Sequence, residues 1–395
     1  EYAGGFAGIT RNGEVGGLLN SLGVDVVAFL KPQSAVINSK LGAPESESGV
    51  GQQADAADVS VTAASYAGGF AGAMANSYAV NDAIDNRSVS VAATSADGVG
   101  YAGGFTGRAT VGWGIELGSK QATSLLGKLS SVVSSLLKGD ASGNPLLSIA
   151  GVKPSAILGT HMSGSISVSS AKDYAGGIVG GGSAVVIGTS SEDNLGALTF
   201  WDASLLYDGS LKLDVPAQQD TVVTGLSSVH ASGSYAGGVA GNLQPAAVAA
   251  ILNDTLGLGS LIGEGQSWND KFGKYFDSFA SFDVSKVTLS GPADTTGLAV
   301  SAGGFYAGGA IGFGTGGDVA NTNINNVGTV SAKGDAGGFF GFAGPGDTVG
   351  AGGLNILGLV KLSGVLSVAQ YSSVEVSNSN VEGIASGFSV TATGK

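Results

Sequence analysis

A short glycine motif recurs along the whole chain and constrains the fold more than any other feature of the sequence. It reads YAGGFAG, YAGGFTG, YAGGIVG, YAGGVAG, SAGGFYAGG or DAGGFFG, with successive copies 64, 35, 73, 61, 66 and 34 residues apart. The seven copies begin at Tyr2, Tyr66, Tyr101, Tyr174, Tyr235, Ser301 and Asp335. Repeats at such periods bury their apolar edges only against neighbouring units, so the motif predicts one stacked repeat array.

Two consecutive glycines in each copy are the predicted structural site residues. Glycine has no side chain, so it allows two backbone segments to approach closely or the chain to turn with positive φ. The predicted set is Gly4, Gly5, Gly68, Gly69, Gly103, Gly104, Gly176, Gly177, Gly237, Gly238, Gly303, Gly304, Gly337 and Gly338.

A second segment with alternating side chains precedes most copies of the motif. In DVSVTAAS, for example, Val59, Val61 and Ala63 alternate with Ser60 and Thr62. Similar segments are RSVSVAATS, SGSISVSS, NVGTVSA and SGFSVTATG. A period of two is typical of a strand with one buried face. Each repeat therefore contains at least a glycine-rich strand and a Val/Ser strand.

Composition supports a packed β structure. Glycine makes up 70 of 395 residues, but there are only 8 prolines and no three-residue glycine period, which excludes collagen. Hydrophobic residues make up 43%, which excludes a disordered linker. We predict an all-β fold, a parallel β-helix or β-solenoid that spans 1–395 as a single domain of seven units.

The longer spacings indicate insertions between the repeated segments. We expect helical or irregular insertions at about 11–53, 112–160, 182–225, 242–285 and 345–370. The clearest apolar stripe runs from Leu125 to Leu137 at helical spacing, and weaker stripes lie at 18–27 and 248–256. These α-helices are expected to pack on the side of the solenoid, on one another or on a partner. Trp113, Trp201 and Trp268 lie in or beside the insertions, where core filling is favoured over carbohydrate stacking.

The repeat segments resemble a known family. GGFAGAMANSYAV followed by SVSV and YAGGFTG, and likewise GTGGDVANTNINNVGTVSAKGDAGGFFG, resemble the GLUG-type repeats of bacterial cell-surface and adhesin-like proteins. The resemblance covers roughly half the chain. It implies an extracellular β-solenoid in an adhesin or another surface protein.

Several function classes are disfavoured by charge and residue content. The net charge of −13 has the wrong sign for binding a nucleic-acid backbone, and no apolar run reaches the ~20 residues of a membrane span. Because cysteine is absent, there can be no disulfide, thiolate metal site or cysteine nucleophile. We predict no cofactor and no metal site, and whether structural calcium binds is left open.

Catalytic residue types are few. His161 and His230 are the only histidines, and the close cluster of Asp82, Asp85 and Arg87 is not repeated in neighbouring units. A Ser/His/Asp arrangement is therefore not expected, and a turn-stabilising role is favoured for the two aspartates.

The sequence therefore predicts a non-enzymatic, extracellular structural or adhesive protein: an adhesin stalk, a surface fibre or a filament subunit. The alternative is a carbohydrate-active or carbohydrate-binding β-helix domain. Expected partners are neighbouring coils or subunits stacked end to end, and a host or cell-surface glycan or protein. Joining SVTATGK to EYAGGFAG reproduces an internal junction, so we expect further coils to continue the array at both ends.

Overall fold

The chain winds into stacked coils of parallel β-strands. In the computed structural model, the described part of the chain contains strands, turns and irregular segments but no helix. Each coil passes in turn through four parallel sheets, which we name A to D. The structure describes residues 1–11, 34–42, 58–75, 77–95, 98–110, 112–113, 152–153, 155–188, 219–245, 281–345, 354–356, 360–362 and 373–394.

Sheets A and B have seven strands each, one from every coil. The strands of sheet A are Tyr2–Gly4, Tyr66–Gly68, Tyr101–Gly103, Tyr174–Gly176, Tyr235–Gly237, Tyr306–Gly308 and Asp335–Gly337. Their first residues define the starts of coils 1 to 7. The strands of sheet B are Ala7–Arg11, Ala71–Ala75, Thr106–Thr110, Val179–Ser183, Ala240–Gln244, Ile311–Thr315 and Phe340–Gly344.

Sheets C and D complete each coil. The strands of sheet C are Ser34–Ile37, Ser77–Val80, Ala156–Leu158, Val186–Gly188, Phe282–Ser285, Gly317–Ala320 and Val374–Ser377. Sheet D has eleven strands, because four coils contribute two short strands and three contribute one long strand. They are Lys40–Gly42 and Asp58–Ala63, Ala83–Ala93, His161–Ser170, Thr221–Thr224 and Leu226–Ala231, Val287–Ser290 and Leu298–Ala302, Asn323–Ala332, and Asn380–Gly383 and Ser389–Ala392.

Two antiparallel strand pairs lie outside the four sheets. Gly112–Trp113 pairs with Val152–Lys153, and Leu354–Ile356 pairs with Val360–Leu362. The fold is therefore an all-β stack of parallel sheets, as the repeats predict.

The core consists of columns of like residues that run along the stack. In sheet D one column is valine in all seven coils, and its members in coils 1 to 6 are at most 6% exposed. This column is Val61, Val91, Val168, Val229, Val300, Val330 and Val390. In the corner between sheets A and B, the rings of Phe6, Phe70 and Phe105 stack with centroids 4.7 Å apart. The alternation predicted for the Val/Ser segments is confirmed, since Val61 and Ala63 are buried while Ser60 and Thr62 are exposed.

The motif glycines are required by close backbone contacts. A Cβ on Gly103 would overlap the carbonyl oxygen of Thr106, just past the corner from sheet A to sheet B. On Gly104 it would overlap the carbonyl oxygen of Gly177, its counterpart in the next coil. Equivalent overlaps occur at Gly68 and Gly69. None of these four glycines has positive φ, so close approach and not left-handed backbone excludes a side chain.

The sixth copy of the motif begins five residues later than the sequence analysis placed it. Tyr306 aligns with Tyr235 of coil 5 and with Asp335 of coil 7, whereas Ser301 belongs to the preceding strand of sheet D. Gly303 and Gly304 instead follow that strand, where their N–H groups bond to the carbonyls of Ala231 and Gly233. Gly308 and Gly309, rather than the predicted Gly303 and Gly304, occupy the corner positions of coil 6.

Four of the five predicted insertions are bounded too widely, because their ranges contain strands of the coils; the fifth, 345–370, contains only the separate pair Leu354–Ile356 and Val360–Leu362. Sheet C was not recognised, so segments such as Ala156–Leu158, Val186–Gly188 and Phe282–Ser285 were counted as inserted chain. The largest gaps between strands of sheets B and C occur in coils 1, 3, 5 and 7. The three predicted helical stripes, Trp201 and Trp268 lie outside the described residues, so the structure gives the helical insertions no support.

Replacing Gly103 or Gly104 by valine should lower the free energy of unfolding by on the order of 1–3 kcal/mol or more, because the new side chain has to displace backbone. Gly8→Val is the matched control, since a Cβ there has only the Tyr2 carbonyl oxygen, at 3.6 Å, within contact range. Thermal unfolding compares the three variants. Equal midpoints for all three would contradict the close-contact explanation.

Candidate functional site

The most regular outward-facing feature is a column of tyrosine rings on sheet A. We call it the tyrosine ladder; it consists of Tyr2, Tyr66, Tyr101, Tyr174, Tyr235 and Tyr306. Neighbouring rings are stacked, with centroids 4.2–5.9 Å apart and ring planes within 19° of parallel. In coil 7 the position is taken by Asp335.

Stacking leaves the ring edges of the ladder, rather than its ring faces, for contact with a ligand. Each inner ring is covered on both faces by its neighbours, and Tyr2, at one end of the ladder, is 42% exposed. Burial is the main cause that raises the pKa values of Tyr101, Tyr174 and Tyr235, so these phenols stay protonated at neutral pH. The ladder therefore offers neither a phenolate nucleophile nor, along its length, open ring faces on which a sugar could stack.

Sheet B supports the ladder from one side. The guanidinium of Arg108 lies 5.3 Å from the centre of the Tyr101 ring, and its Nη1 is 3.5 Å from the hydroxyl of Tyr66. Gly181 leaves room for the Tyr101 ring, which a Cβ there would overlap. Near coil 7, Phe313 packs on Tyr306 with centroids 5.5 Å apart. These contacts hold the tyrosine rings in fixed positions, so the ladder is a packed surface.

Sheet D presents two columns of small polar side chains to the outside. One column is Ser60, Ser90, Ser167, Ser228, Ala299, Thr329 and Ser389, and the other is Thr62, Ala92, Ser169, His230, Ser301, Ser331 and Thr391. Like charges placed directly opposite on neighbouring strands would repel, whereas hydroxyl groups do not. Hydroxyl groups therefore make this face hydrophilic with few charged residues.

His230 does not form a catalytic arrangement with a carboxylate, whereas His161 lies near Asp85 and is one of the groups that lower the pKa of that carboxyl. His230 Nδ1 is 2.8 Å from Ser301 Oγ, and its Nε2 is 3.3 Å from Ser232 Oγ. Serines thus occupy both ring nitrogens, and no acid orients the imidazole as a catalytic triad requires. His161 is an exposed residue at the start of its sheet D strand.

The structure separates the acidic cluster predicted at 82–87. Asp85 is exposed, forms an ion pair with Lys40 at 3.1 Å and accepts a hydrogen bond from Ser163 Oγ at 2.7 Å. The bond from Ser163, followed by Lys40, lowers the pKa of Asp85. Asp82 is fully buried, and the side chain of Arg87 lies outside the described residues. The two aspartates therefore cannot act together on a substrate.

Asp82 belongs to a repeated corner between sheets C and D. The corner residue has positive φ at Asn38, Asn81, Gly159, Lys286, Asn321 and Asn378, and in coil 4 Gly188, which aligns one position earlier with Leu158, also has positive φ. Where the next residue is Ser, Thr or Asp, the side-chain oxygen of that next residue can accept a hydrogen bond from a backbone N–H of the preceding coil. Ser39 N–H donates to Asp82 Oδ1 at 2.7 Å, and Thr322 N–H donates to Ser379 Oγ at 3.1 Å. We name this column, Ser39, Asp82, Thr160, Thr221, Val287, Thr322 and Ser379, the corner column.

The corner column is not among the features predicted from the sequence, although the sequence carries a signal for it. The tripeptides INS, VND, LGT, ANT and SNS each combine an apolar or small residue, Asn or Gly, and an oxygen-bearing side chain. Asn and Gly are the residues that most readily adopt positive φ. Aligning these tripeptides between coils would have located both sheet C and the corner.

Asp82 is the one carboxylate in the corner column. Its Oδ2 has no hydrogen-bond partner among the described residues. Burial raises the pKa of Asp82 from 3.8 to about 7, against the opposing effect of backbone hydrogen bonds at Ser39 and Val80. Below neutral pH the group is thus a neutral acid with an O–H, as the serines and threonines of other coils have.

Asp283, Asp318 and Glu375 stand in register on adjacent strands of sheet C. Burial, and then the charge of Glu375, raises the pKa of Asp318. Within the described ranges, however, no group of three or more His, Asp or Glu side chains is arranged to hold a metal ion. In the same ranges no helix has the length and apolar character of a membrane span.

Comparisons with known proteins give little further information. No family model matches the chain, and no curated protein matches it. One similar solved structure is the crystal structure of a "putative immunoglobulin A1 protease" from Bacteroides ovatus, with 14% sequence identity and a TM-score of 0.31. The alignment covers 83% of this chain and 66% of that structure, so the chain spans just under two thirds of its length. Similarity at this level says nothing about activity.

Stability should fall as the pH rises from about 4 to above 7, because the folded pKa of Asp82 lies above its unfolded value. The buried carboxyl is neutral at the acidic end and charged at the alkaline end. Asp82→Thr introduces the residue type that the corner column has in coils 3, 4 and 6. At pH 8 it should be more stable than the wild type by on the order of 1–3 kcal/mol, and at pH 4 the difference should vanish.

Thermal unfolding across this pH range measures the difference between the two proteins. Asp85→Asn is the control: it removes an exposed carboxylate three residues along the chain whose pKa is lowered, so it should give no stabilisation at pH 8. A constant difference between wild type and Asp82→Thr at all pH values would show that Asp82 does not change its protonation state.

Proposed function

We propose that the chain is a non-enzymatic structural or adhesive β-solenoid of the cell exterior, acting as an adhesin stalk, surface fibre or filament subunit. The observation that carries the proposal is the unbroken register of sheet A, in which seven strands align residue by residue. The motif glycines serve these coil-to-coil contacts. The residues that recur in this sequence are therefore those that stack the coils into a rod.

Surface chemistry supports the same proposal. The hydroxyl-rich columns of sheet D and the stacked edges of the tyrosine ladder extend over most of the stack, whereas an active site needs a local group of converging residues. Of the described titratable groups, Asp82 is buried in the corner column, whereas His161, His230 and Asp85 lie on the outer face of sheet D. The resemblance of the repeats to GLUG-type surface proteins and the absence of cysteine agree with an extracellular location.

An antibody raised against the chain tests the location. It should label intact cells that produce the protein, under conditions in which an antibody to a cytosolic protein labels only permeabilised cells. Labelling restricted to permeabilised cells would overturn the extracellular proposal.

Incubation with a panel of polysaccharides tests the alternative of a carbohydrate-active domain. We expect no release of reducing or unsaturated sugar ends, because the described carboxylates are not paired across a cleft. Release that persists after Asp82→Asn and Asp85→Asn but requires the folded chain would show an enzyme with a site elsewhere.

We also propose that the apolar stripe at 125–137 forms a helix packed through its leucines. Leu129→Asp should then lower the melting temperature, because it places a charge in an apolar contact. Ser130→Asp, one residue along and off the stripe, is the control. Equal melting temperatures for the two variants would show that the stripe is not packed.

A further inference from the structure

Two large apolar side chains are exposed inside the stack, in the part of the chain that the structure describes. They are Val99, 43% exposed between coils 2 and 3, and Phe305, 59% exposed between coils 5 and 6. Both lie in the turn from sheet D to sheet A, shortly before a tyrosine of the ladder. The long insertions leave the coils at a different corner, between sheets B and C. The exposure of Phe305 is therefore a property of an internal corner and not of the ends of the chain.

The residues that immediately precede the ladder form a column of their own. We call it the pre-ladder column; it includes Gly100, Asp173, Ser234, Phe305 and Gly334. The carbonyls of the first four of these residues each accept a hydrogen bond from an N–H of the next coil, at 2.6–3.0 Å. The pre-ladder column is therefore held in the same parallel register as the ladder beside it.

The ring of Phe305 is not enclosed between other rings, unlike the inner rings of the ladder. Its neighbours in the pre-ladder column are Ser234, which is small, and Gly334, which has no side chain. A Cβ on Gly334 would overlap the carbonyl oxygen of Phe305, so this position cannot carry a side chain that covers the ring. The ring of Tyr306 lies beside it, tilted by 37°, with centroids 6.1 Å apart. An open aromatic ring of this kind can stack on the C–H face of a sugar.

Hydrogen-bonding groups continue the pre-ladder column away from the ring. Ser234 Oγ donates to Asp173 Oδ1 at 2.9 Å, and a carboxylate can accept further hydrogen bonds. Asp173 also lies near the hydroxyl edges of the ladder: after burial, its charge is among the causes that raise the pKa values of Tyr101, Tyr174 and Tyr235. Carboxylate, hydroxyl and phenol groups thus lie together next to one open ring, which is the combination of apolar and polar contacts that fixes a small ligand.

A single ring among polar groups fits a neutral saccharide better than a protein or an acidic glycan. Protein interfaces have a core of several large apolar side chains, whereas Val99, the other exposed apolar residue of this corner, is three coils or roughly 14 Å away. Charges beside the ring are balanced, with Asp173 and Asp335 against Lys172 and Lys333. A site for sulfated or uronic-acid glycans would need an excess of cations.

We propose that the pre-ladder column binds a neutral oligosaccharide, with one sugar ring stacked on Phe305 and the hydroxyls of the adjoining sugar bonded to Ser234 and Asp173. The inference rests on the proposed adhesive function and names the class of ligand to which the rod adheres. Because the column runs along the stack, the saccharide chain lies parallel to the long axis of the rod.

Binding of the purified chain to immobilised gluco-, manno- and galacto-oligosaccharides, with sulfated and uronic-acid glycans on the same array, tests the proposal. The wild type should bind at least one of the neutral oligosaccharides, and calorimetric titration with that oligosaccharide gives its affinity. Phe305→Ala should weaken binding at least tenfold, whereas Phe305→Trp, which keeps an aromatic ring, should still bind. Tyr2→Ala is the matched control, because it removes a ring of the same sheet that is 42% exposed but lies in coil 1, and its affinity should equal that of the wild type.

Three results would overturn the proposal: no binding to any neutral oligosaccharide, equal affinity of Phe305→Ala and the wild type, or an equal loss of affinity in Tyr2→Ala. Binding confined to the acidic glycans would do the same. None of these results would change the labelling of intact cells by antibody, so the proposed extracellular location is tested separately. Because Phe305 is exposed, Phe305→Ala should melt at the wild-type temperature, and thermal unfolding of each variant confirms that a loss of binding is not a loss of fold.

Discussion

The close approach of backbone to backbone at the corner between sheets A and B is the constraint on which the other contacts depend. In coils 1 to 6, two glycines leave no space for a side chain, one against the chain just past the corner and one against the next coil. Coils can then stack at the spacing of a parallel sheet, about 4.8 Å. Any side chain here would push neighbouring coils apart and break hydrogen bonds in all four sheets.

A fixed corner places equivalent residues of all coils in line, and this produces the columns. Valine follows valine in sheet D, tyrosine follows tyrosine in sheet A, and rings meet at stacking distance because their backbones are held in register. Stacked rings and aligned β-branched side chains add stabilisation of about 0.2–1 kcal/mol per pair. The same regularity lets each coil serve as the template on which the next one stacks.

Sequence alone predicted the parts of the coil whose residues are nearly invariant between repeats. The YAGG strand and the Val/Ser strand were found, and both are parallel strands of the stack. Sheet C was missed because its strands, such as SAVI, AIL and VIG, share no motif and are only three or four residues long. The sixth copy was misplaced because SAGGF and YAGG both fit the motif, and only pairing with Tyr235 decides between them. The different placement of Asp82, which is buried, and Asp85, which is exposed, was also not predictable from their spacing in the sequence.

The corner between sheets C and D tolerates variation that the glycine corner does not. In coil 5 the corner column holds Val287, which has no side-chain oxygen, and the N–H of Thr221 bonds to the Lys286 carbonyl instead. In coil 2 it holds Asp82, whose second oxygen has no partner among the described residues. A backbone carbonyl can replace a hydroxyl as acceptor, and a buried acid can be accommodated by taking up a proton. Nothing comparable can relieve a Cβ placed against a backbone oxygen, so the glycine corner sets the coil spacing and the corner column adjusts to it.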